Sequence, residues 1–151
     1  MFRIQSQSDL LECFRISERD DVELPESSRF PILVKDYYSW VEPSGAKVYL
    51  VFSDSGGKNP VGVVFRRGSS STGPSMCEWC HSVGGGEGVA LLTASASASR
   101  RVGIHVCSDL SCAEKISANP GANDFPKSGS SRERMRGVLE RMSKFVRQNV
   151  F

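Results

Sequence analysis

Apolar residues gather in short β-type runs through the middle of this chain and settle into a helical stripe at its end. Lys47-Val48-Tyr49-Leu50-Val51-Phe52 and Val61-Gly62-Val63-Val64-Phe65-Arg66 are rich in β-branched and aromatic residues, the composition of strands. Residues 53–60 between them hold Asp, Ser, Gly, Asn and Pro, so the two runs read as an antiparallel hairpin. Gly88-Val89-Ala90-Leu91-Leu92-Thr93-Ala94 and Val102-Gly103-Ile104-His105-Val106-Cys107 read as a second hairpin. Its connection, Ser95 to Arg101, is an Ala/Ser alternation ending in two arginines and is expected to be a loop. Arg66 to Gly73, rich in Ser and Gly, is expected to be another, and Gly84-Gly85-Gly86 a flexible tip.

The ends of the chain carry helical patterns. Ser8 to Ile16 reads as a short amphipathic helix, with Ser8 as N-cap and Leu10, Leu11 and Phe14 on one side. Cys13 falls inside it as a small packed residue. Residues 19–31 are acidic, contain Pro25 and Pro31, and read as a loop. Toward the other end, Ser130-Ser131-Arg132-Glu133 is a capping box. Met135, Val138, Leu139, Met142, Phe145, Val146 and Asn149 follow as a stripe at i, i+3, i+4 and i+7. The opposite faces carry Arg132, Arg136, Arg141, Lys144 and Arg147, either a solvated surface or one that meets a partner. The aromatic run Tyr37-Tyr38-Ser39-Trp40-Val41-Glu42-Pro43 reads as core beneath a sheet, the alternative being a platform for stacked bases.

Charge adds a direction. The net charge of +2 over 151 residues is too small to argue for nucleic acid by itself. Residues 1–64 hold seven Lys/Arg against ten Asp/Glu, residues 65–126 hold five against five, and residues 127–151 hold seven against two. The cationic excess thus sits at the C-terminal end, where RNA or an acidic protein face could meet it. Apolar runs are only a few residues long, far short of a membrane span. Met1 to Leu24 is mixed in charge with no apolar leader segment, so a reduced, cytoplasmic protein is expected.

Four of the five cysteines form two tight pairs, Cys77-x2-Cys80 and Cys107-x4-Cys112. Two short-range pairs supply four soft ligands to a tetrahedral Zn2+ at little loop-closure entropy per pair. Two disulfides, or four unrelated buried thiols, are the alternative, but disulfides require an oxidising compartment and five is an odd count. Cys77 and Cys80 lie in a knuckle. Cys107 ends an extended run, and a helix expected to begin near Asp109 returns Cys112 on its first turn. Knuckle, strand end and helix together describe a treble clef. Four thiolates close the metal shell, leaving no open position for water, and no nucleophile stands beside a base and an acid. The chain therefore reads as a non-enzyme with no small-molecule substrate, its zinc a structural staple. His81 follows Cys80 and reads as a neighbour of the site; the alternative, a competing ligand, would displace a cysteine. His105 should point away from the apolar face that Ile104 and Val106 share. Arg100 and Arg101 are either solvated or contacts to phosphate or an acidic surface.

The expected architecture is α+β: antiparallel β hairpins, a treble-clef zinc finger and an amphipathic C-terminal helix in one domain, 1–151. Its parts are an N-terminal helix and loop (1–36), a β region (37–75), the treble clef (76–118) and the C-terminal helix (128–151).

Three stretches, in order, carry a family resemblance. They are Tyr38-Ser39-Trp40-Val41-Glu42-Pro43 with Lys47-Val48-Tyr49-Leu50-Val51, Pro60-Val61-Gly62-Val63-Val64-Phe65-Arg66, and the two cysteine pairs with Gly88 to Ala94 and Gly103 to Cys112. The chain resembles the elongation factor G-binding family, in particular the C-terminal treble-clef zinc-finger domain of FusB-type fusidic-acid-resistance proteins. The resemblance implies binding to elongation factor G, release of that factor from the ribosome, and partner contacts at Leu92, His105 and the nearby Arg100 and Arg101. Family members carry aromatics at the positions of Leu92 and His105, and FusB-type proteins have an N-terminal helical bundle where this chain has one short helix and a loop. An RNA- or ribosome-binding zinc module and a structural adaptor are the other readings of the same residues.

Overall fold

In the computed structural model, residues 2–26, 28–53, 60–70, 75–84, 88–118 and 130–150 are described. The backbone forms two compact units, Met1–Arg66 and Arg67–Phe151.

The first unit opens with β1 (Phe2–Ile4), α1 (Gln7–Glu12) and a 3-10 helix (Ile16–Asp21). β2 (Ile32–Val34) returns antiparallel to β1, pairing Phe2 with Val34 and Ile4 with Ile32. The N-terminal helix is shorter than its apolar pattern suggests, and Ser6 rather than Ser8 caps it by accepting from the Asp9 amide. The stretch expected as helix and loop thus also holds a small sheet and a 3-10 turn. Both elements are too short for a periodic signal to reveal them.

β3 (Tyr37–Val41), β4 (Lys47–Ser53) and β5 (Pro60–Ser70) follow as an antiparallel meander. Its register places Trp40 opposite Tyr49, Tyr49 opposite Val64, and Val51 opposite Gly62. Residues 54–59 of the expected turn lie outside the described residues. β5 continues to Ser70, so the start of the segment read as a loop from Arg66 is strand.

The core of this unit is aromatic. Ile4, Leu10, Phe14, Val34, Trp40, Tyr49, Val51 and Val64 are buried together. The Trp40 and Tyr49 rings lie 4.8 Å apart, and Phe14 meets each edge-on at 6.2 and 6.4 Å. Such geometry sets the positive ring edge against a negative face. The polar atoms of these rings find partners in the acidic loop: Trp40 Nε1 donates to the Glu23 carbonyl at 2.9 Å and the Tyr49 hydroxyl donates to the Asp21 carbonyl at 2.9 Å. Trp40 and Tyr49 are therefore packing residues and not a stacking platform.

Gly62 makes the Phe14 contact possible. A Cβ there would lie 2.7 Å from Phe14 Cδ1, and the Gly62 amide donates to the Cys13 carbonyl at 2.8 Å. Cys13 closes α1, its thiol directed at the Asp9 carbonyl. Burial, then the Asp9 and Glu12 charges, push that thiol up to about 11, which keeps it protonated and inert at neutral pH.

The second unit contains a two-stranded knuckle, β6 (Ser75–Met76) with β7 (Val83–Gly84), and a long hairpin, β8 (Val89–Ser97) with β9 (Arg100–Cys107). Two helices complete it, α2 (Cys112–Ala118) and α3 (Ser131–Asn149). The Ala/Ser segment expected to be a loop is strand on both sides of a tight turn, with a bulge between Ser95 and Ser97. Alternating small residues suit a pleated strand as well as a loop, and that ambiguity defeats the pattern. Gly85 and Gly86 of the expected tip lie outside the described residues. At the start of α3, Ser130 accepts from the Glu133 amide at 3.2 Å, the first half of the capping box. Met135, Val138, Met142 and Val146 are buried along the helix's apolar stripe.

Candidate metal centre

Three separate pieces of backbone aim four sulfurs at one point. Cys77 follows β6 and Cys80 lies in the turn before β7. Cys107 ends β9, and Cys112 begins α2. The two connections that carry the pairs bend sharply. His81 adopts φ 64° and donates its amide to the Cys77 carbonyl at 2.8 Å; Leu110 adopts φ 57° and donates to the Cys107 carbonyl at 3.0 Å. A side chain in this left-handed region costs roughly 1 kcal/mol, so both turns are held by what surrounds them. Asp109 Oδ1 accepts the Ser111 amide at 3.1 Å and steers the chain into α2, which starts at Cys112 and not near Asp109.

All four Sγ atoms lie within 4.8 Å of one another, with Cys77–Cys112 at 3.7 Å and Cys80–Cys107 at 3.6 Å. A zinc ion about 2.3 Å from four tetrahedral sulfurs sets them about 3.8 Å apart, whereas a disulfide requires about 2.05 Å. The spacing fits the metal and excludes the disulfide pairing. Cys77 and Cys107 are fully buried and Cys112 is 1 % exposed; Cys80 is half-buried. Zinc is the ion this donor set holds, and it supplies a four-way cross-link between knuckle, hairpin and helix.

The electrostatics agree. Hydrogen bonding with Cys107, the largest influence on each, pushes Cys77 and Cys112 above the usual thiol range and holds Cys80 below it. Cys107, lowered chiefly by Cys112, sits at about 7. Four clustered thiols, three of them buried, cannot shed four protons without a cation to replace them.

Neighbouring groups complete the shell. Ser82 Oγ lies 3.1 Å from Cys80 Sγ, the Cys80 amide donates to Cys77 Sγ at 3.4 Å, and Lys115 Nζ donates to Cys107 Sγ at 3.1 Å. Burial works against the Lys115 charge, but the bond to Cys107 and the fields of Cys107, Cys80 and Cys112 outweigh it and raise its pKa. His81 offers no ligand to the cluster; partial burial and then the Arg141 charge lower its pKa and favour the neutral ring.

Arg141, read from sequence as part of a cationic face that is either solvated or meets a partner, binds the knuckle. Its Nε and Nη2 both donate to the Trp79 carbonyl, at 2.8 and 2.5 Å, while the buried Trp79 ring meets Phe145 edge-on at 6.1 Å. α3 thereby grips the turn that holds Cys80. The knuckle also docks on β9: the Glu78 amide donates to the His105 carbonyl at 2.9 Å, and Glu78 Oε2 accepts the His105 amide at 3.1 Å.

The residues expected to meet a partner separate into two groups. His105, Arg100 and Arg101 are exposed. Leu92 is not: it is 0 % exposed, paired with the buried Ile104 on the inner face of the hairpin. Leu91, one residue earlier, is half-buried and stands directly opposite His105. The correction follows from the strand period of two, since a shift of one residue exchanges the faces. Leu91, Thr93, Arg101, Gly103 and His105 share the outer face, and Arg101 Nη2 donates to the Thr93 carbonyl at 2.9 Å. Lys115, Ser82 and Leu91 are the residues that sequence reasoning missed, together with the bond from Arg141 to the Trp79 carbonyl. The one available signal was Lys115, three positions after Cys112 and so on the same helix face.

Comparison with known proteins places this geometry. No curated protein matches the sequence. Among solved structures, the fold is similar to that of the fusidic acid resistance protein FusC, with a TM-score of 0.60 at 13 % identity. The match covers 99 % of this chain and 60 % of the FusC chain, so this chain spans well under the whole of that protein. The family model described as the FBP C-terminal treble-clef zinc-finger matches residues 6–149. With that match extending over nearly all of its length, and with four cysteines set for zinc, the chain belongs to the FBP C-terminal treble-clef zinc-finger family.

Proposed function

We propose that this chain is a non-enzymatic, zinc-stapled binding module of the cytoplasm whose partner is elongation factor G, and that it helps that factor leave the ribosome. The family match and the likeness of fold to a fusidic acid resistance protein support the reading. One structural observation carries it. The strand that ends in a metal-binding cysteine, Cys107, also presents the exposed His105 and Arg101 on the outer face beside Leu91. Zinc at one end of β9 therefore fixes the position of a mixed apolar and cationic surface, with Arg100 at its far end. That surface suits a protein with acidic and apolar patches better than it suits a small molecule.

The test is capture of purified elongation factor G by the zinc-loaded protein in the presence of RNase. His105→Asp and Leu91→Asp should each weaken capture tenfold or more. The unaltered protein failing to bind the factor, or binding that collapses with RNase and falls steeply with salt, would replace this reading with an RNA-binding one.

A further inference from the structure

The shell around the four sulfurs is unequal. A zinc ion with four thiolates carries a net charge of about −2, and the lining of the site offers one cation within hydrogen-bond distance, Lys115, on Cys107 among the described residues. Cys77 receives a backbone amide, and beside Cys80, apart from the other sulfurs, stands the neutral Ser82 hydroxyl and no charged donor among the described residues. Cys80 is also the one ligand of the four that is half-exposed, the others being 0 to 1 % exposed. Electron density on a thiolate decides how readily it attacks an electrophile, and a charged donor withdraws more of it than a neutral one.

We propose that Lys115 is the charge partner of the zinc–thiolate cluster, holding the Cys107 sulfur as a poor nucleophile, and that Cys80 is the ligand through which electrophiles open the site. Lys115 acts through Cys107 and is a positioning residue. Its place follows from α2: Cys112 binds from the first turn, and Lys115, one turn on, lies over the same face and reaches the sulfur contributed by β9. The opening reaction is a substitution. With iodoacetamide, the Cys80 thiolate forms a bond to the methylene carbon, iodide leaves with the electron pair, and the resulting thioether is too weak a ligand to retain the metal. The inference rests on the zinc reading above but goes beyond it, because it assigns unequal roles to the ligands.

The experiment uses the full zinc-loaded chain. Zinc content is measured first; then iodoacetamide is added, zinc release is followed with a chromogenic chelator, and modified cysteines are mapped by peptide mass spectrometry at early times. Cys80 should be alkylated before Cys77, Cys107 and Cys112. Lys115→Met should speed release about tenfold and bring Cys107 into the early-modified set, while Lys115→Arg retains the native rate. In the cobalt-substituted protein, Lys115→Met should move the thiolate-to-metal charge-transfer band to lower energy, a shift that loss of packing alone would not produce. If Lys115→Met fails to take up metal, Lys115→Gln, which keeps a donor without the charge, decides between the same two outcomes against Lys115→Arg. Equal release rates with an unmoved band, or first alkylation at a buried cysteine, overturn the proposal. Absence of zinc from the protein would instead overturn the metal reading itself.

Discussion

The two units of this protein hold themselves together by different means. In the first, Phe14 meets Trp40 and Tyr49 edge-on, Val51 and Val64 are buried in the same cluster, and the neighbouring backbone satisfies the polar atoms of Trp40 and Tyr49. That is burial, distributed over many side chains. In the second, the knuckle strands β6 and β7 are two residues each, far too short to be stable alone. The β8–β9 hairpin and α3 bury apolar faces of their own, but the knuckle is held by four sulfurs, Lys115 and the Arg141 clamp on Trp79. Distributed burial tolerates small losses; a metal staple fails all at once when one ligand is lost.

The largest effect should therefore come from the metal. Structural zinc contributes roughly 10–16 kcal/mol of apparent free energy in small domains, so chelation or Cys112→Ala should collapse the knuckle. The two tryptophans report on the two units separately, Trp40 from the first and Trp79 from the second. On chelation, Trp79 emission, read in a Trp40→Phe background, should shift to the red before Trp40 emission does in a Trp79→Phe background. Simultaneous change would erase the contrast between the units.

Next in size is Phe14→Ala, which empties a buried aromatic site and should cost about 3–5 kcal/mol in urea unfolding while zinc content stays at the native value. Loss of zinc in that variant would show the aromatic core and the staple to be a single device.

Both of these features were legible in the residues, for different reasons. Ligand spacing is local: Cys77-x2-Cys80 and Cys107-x4-Cys112 declare a metal without any knowledge of the fold. The β4 and β5 patterns declared a hairpin and the aromatic run at 37–43 a buried core through composition, although that run proves to be a third strand, β3. The capping box at Ser130 and the stripe of α3 were equally plain. What escaped was whatever depends on a one-residue choice or on a distant partner. Leu91 and Leu92 are chemically identical, and only the register with β9 decides that Leu92 faces the core and Leu91 faces His105. Arg141 looks like any surface cation until the Trp79 carbonyl arrives from 62 residues away. β1 and β2 are three residues each, too short for alternation to announce them.

A subtler break of the first unit is Gly62→Ala. The added Cβ would sit 2.7 Å from the buried Phe14 ring, so the ring or β5 must shift; overpacking of this kind costs about 1–3 kcal/mol. Urea midpoints for the pair Gly62→Ala and Gly62→Ala/Phe14→Leu test it, since the smaller side chain should recover part of the loss. The smallest effect expected is that of Ser130→Ala, about 1 kcal/mol from the removed cap of α3, visible as a lowered thermal midpoint with unchanged zinc content.

The claim on which the rest depends is that one zinc ion, bound by four sulfurs, fixes β9 and the surface that it carries. X-ray absorption at the zinc edge on the purified full chain measures this directly. The structure predicts one zinc per chain with four sulfur neighbours at about 2.3 Å and no nitrogen or oxygen in the shell. A substoichiometric metal, or a shell in which a histidine nitrogen or water replaces a sulfur, would contradict it.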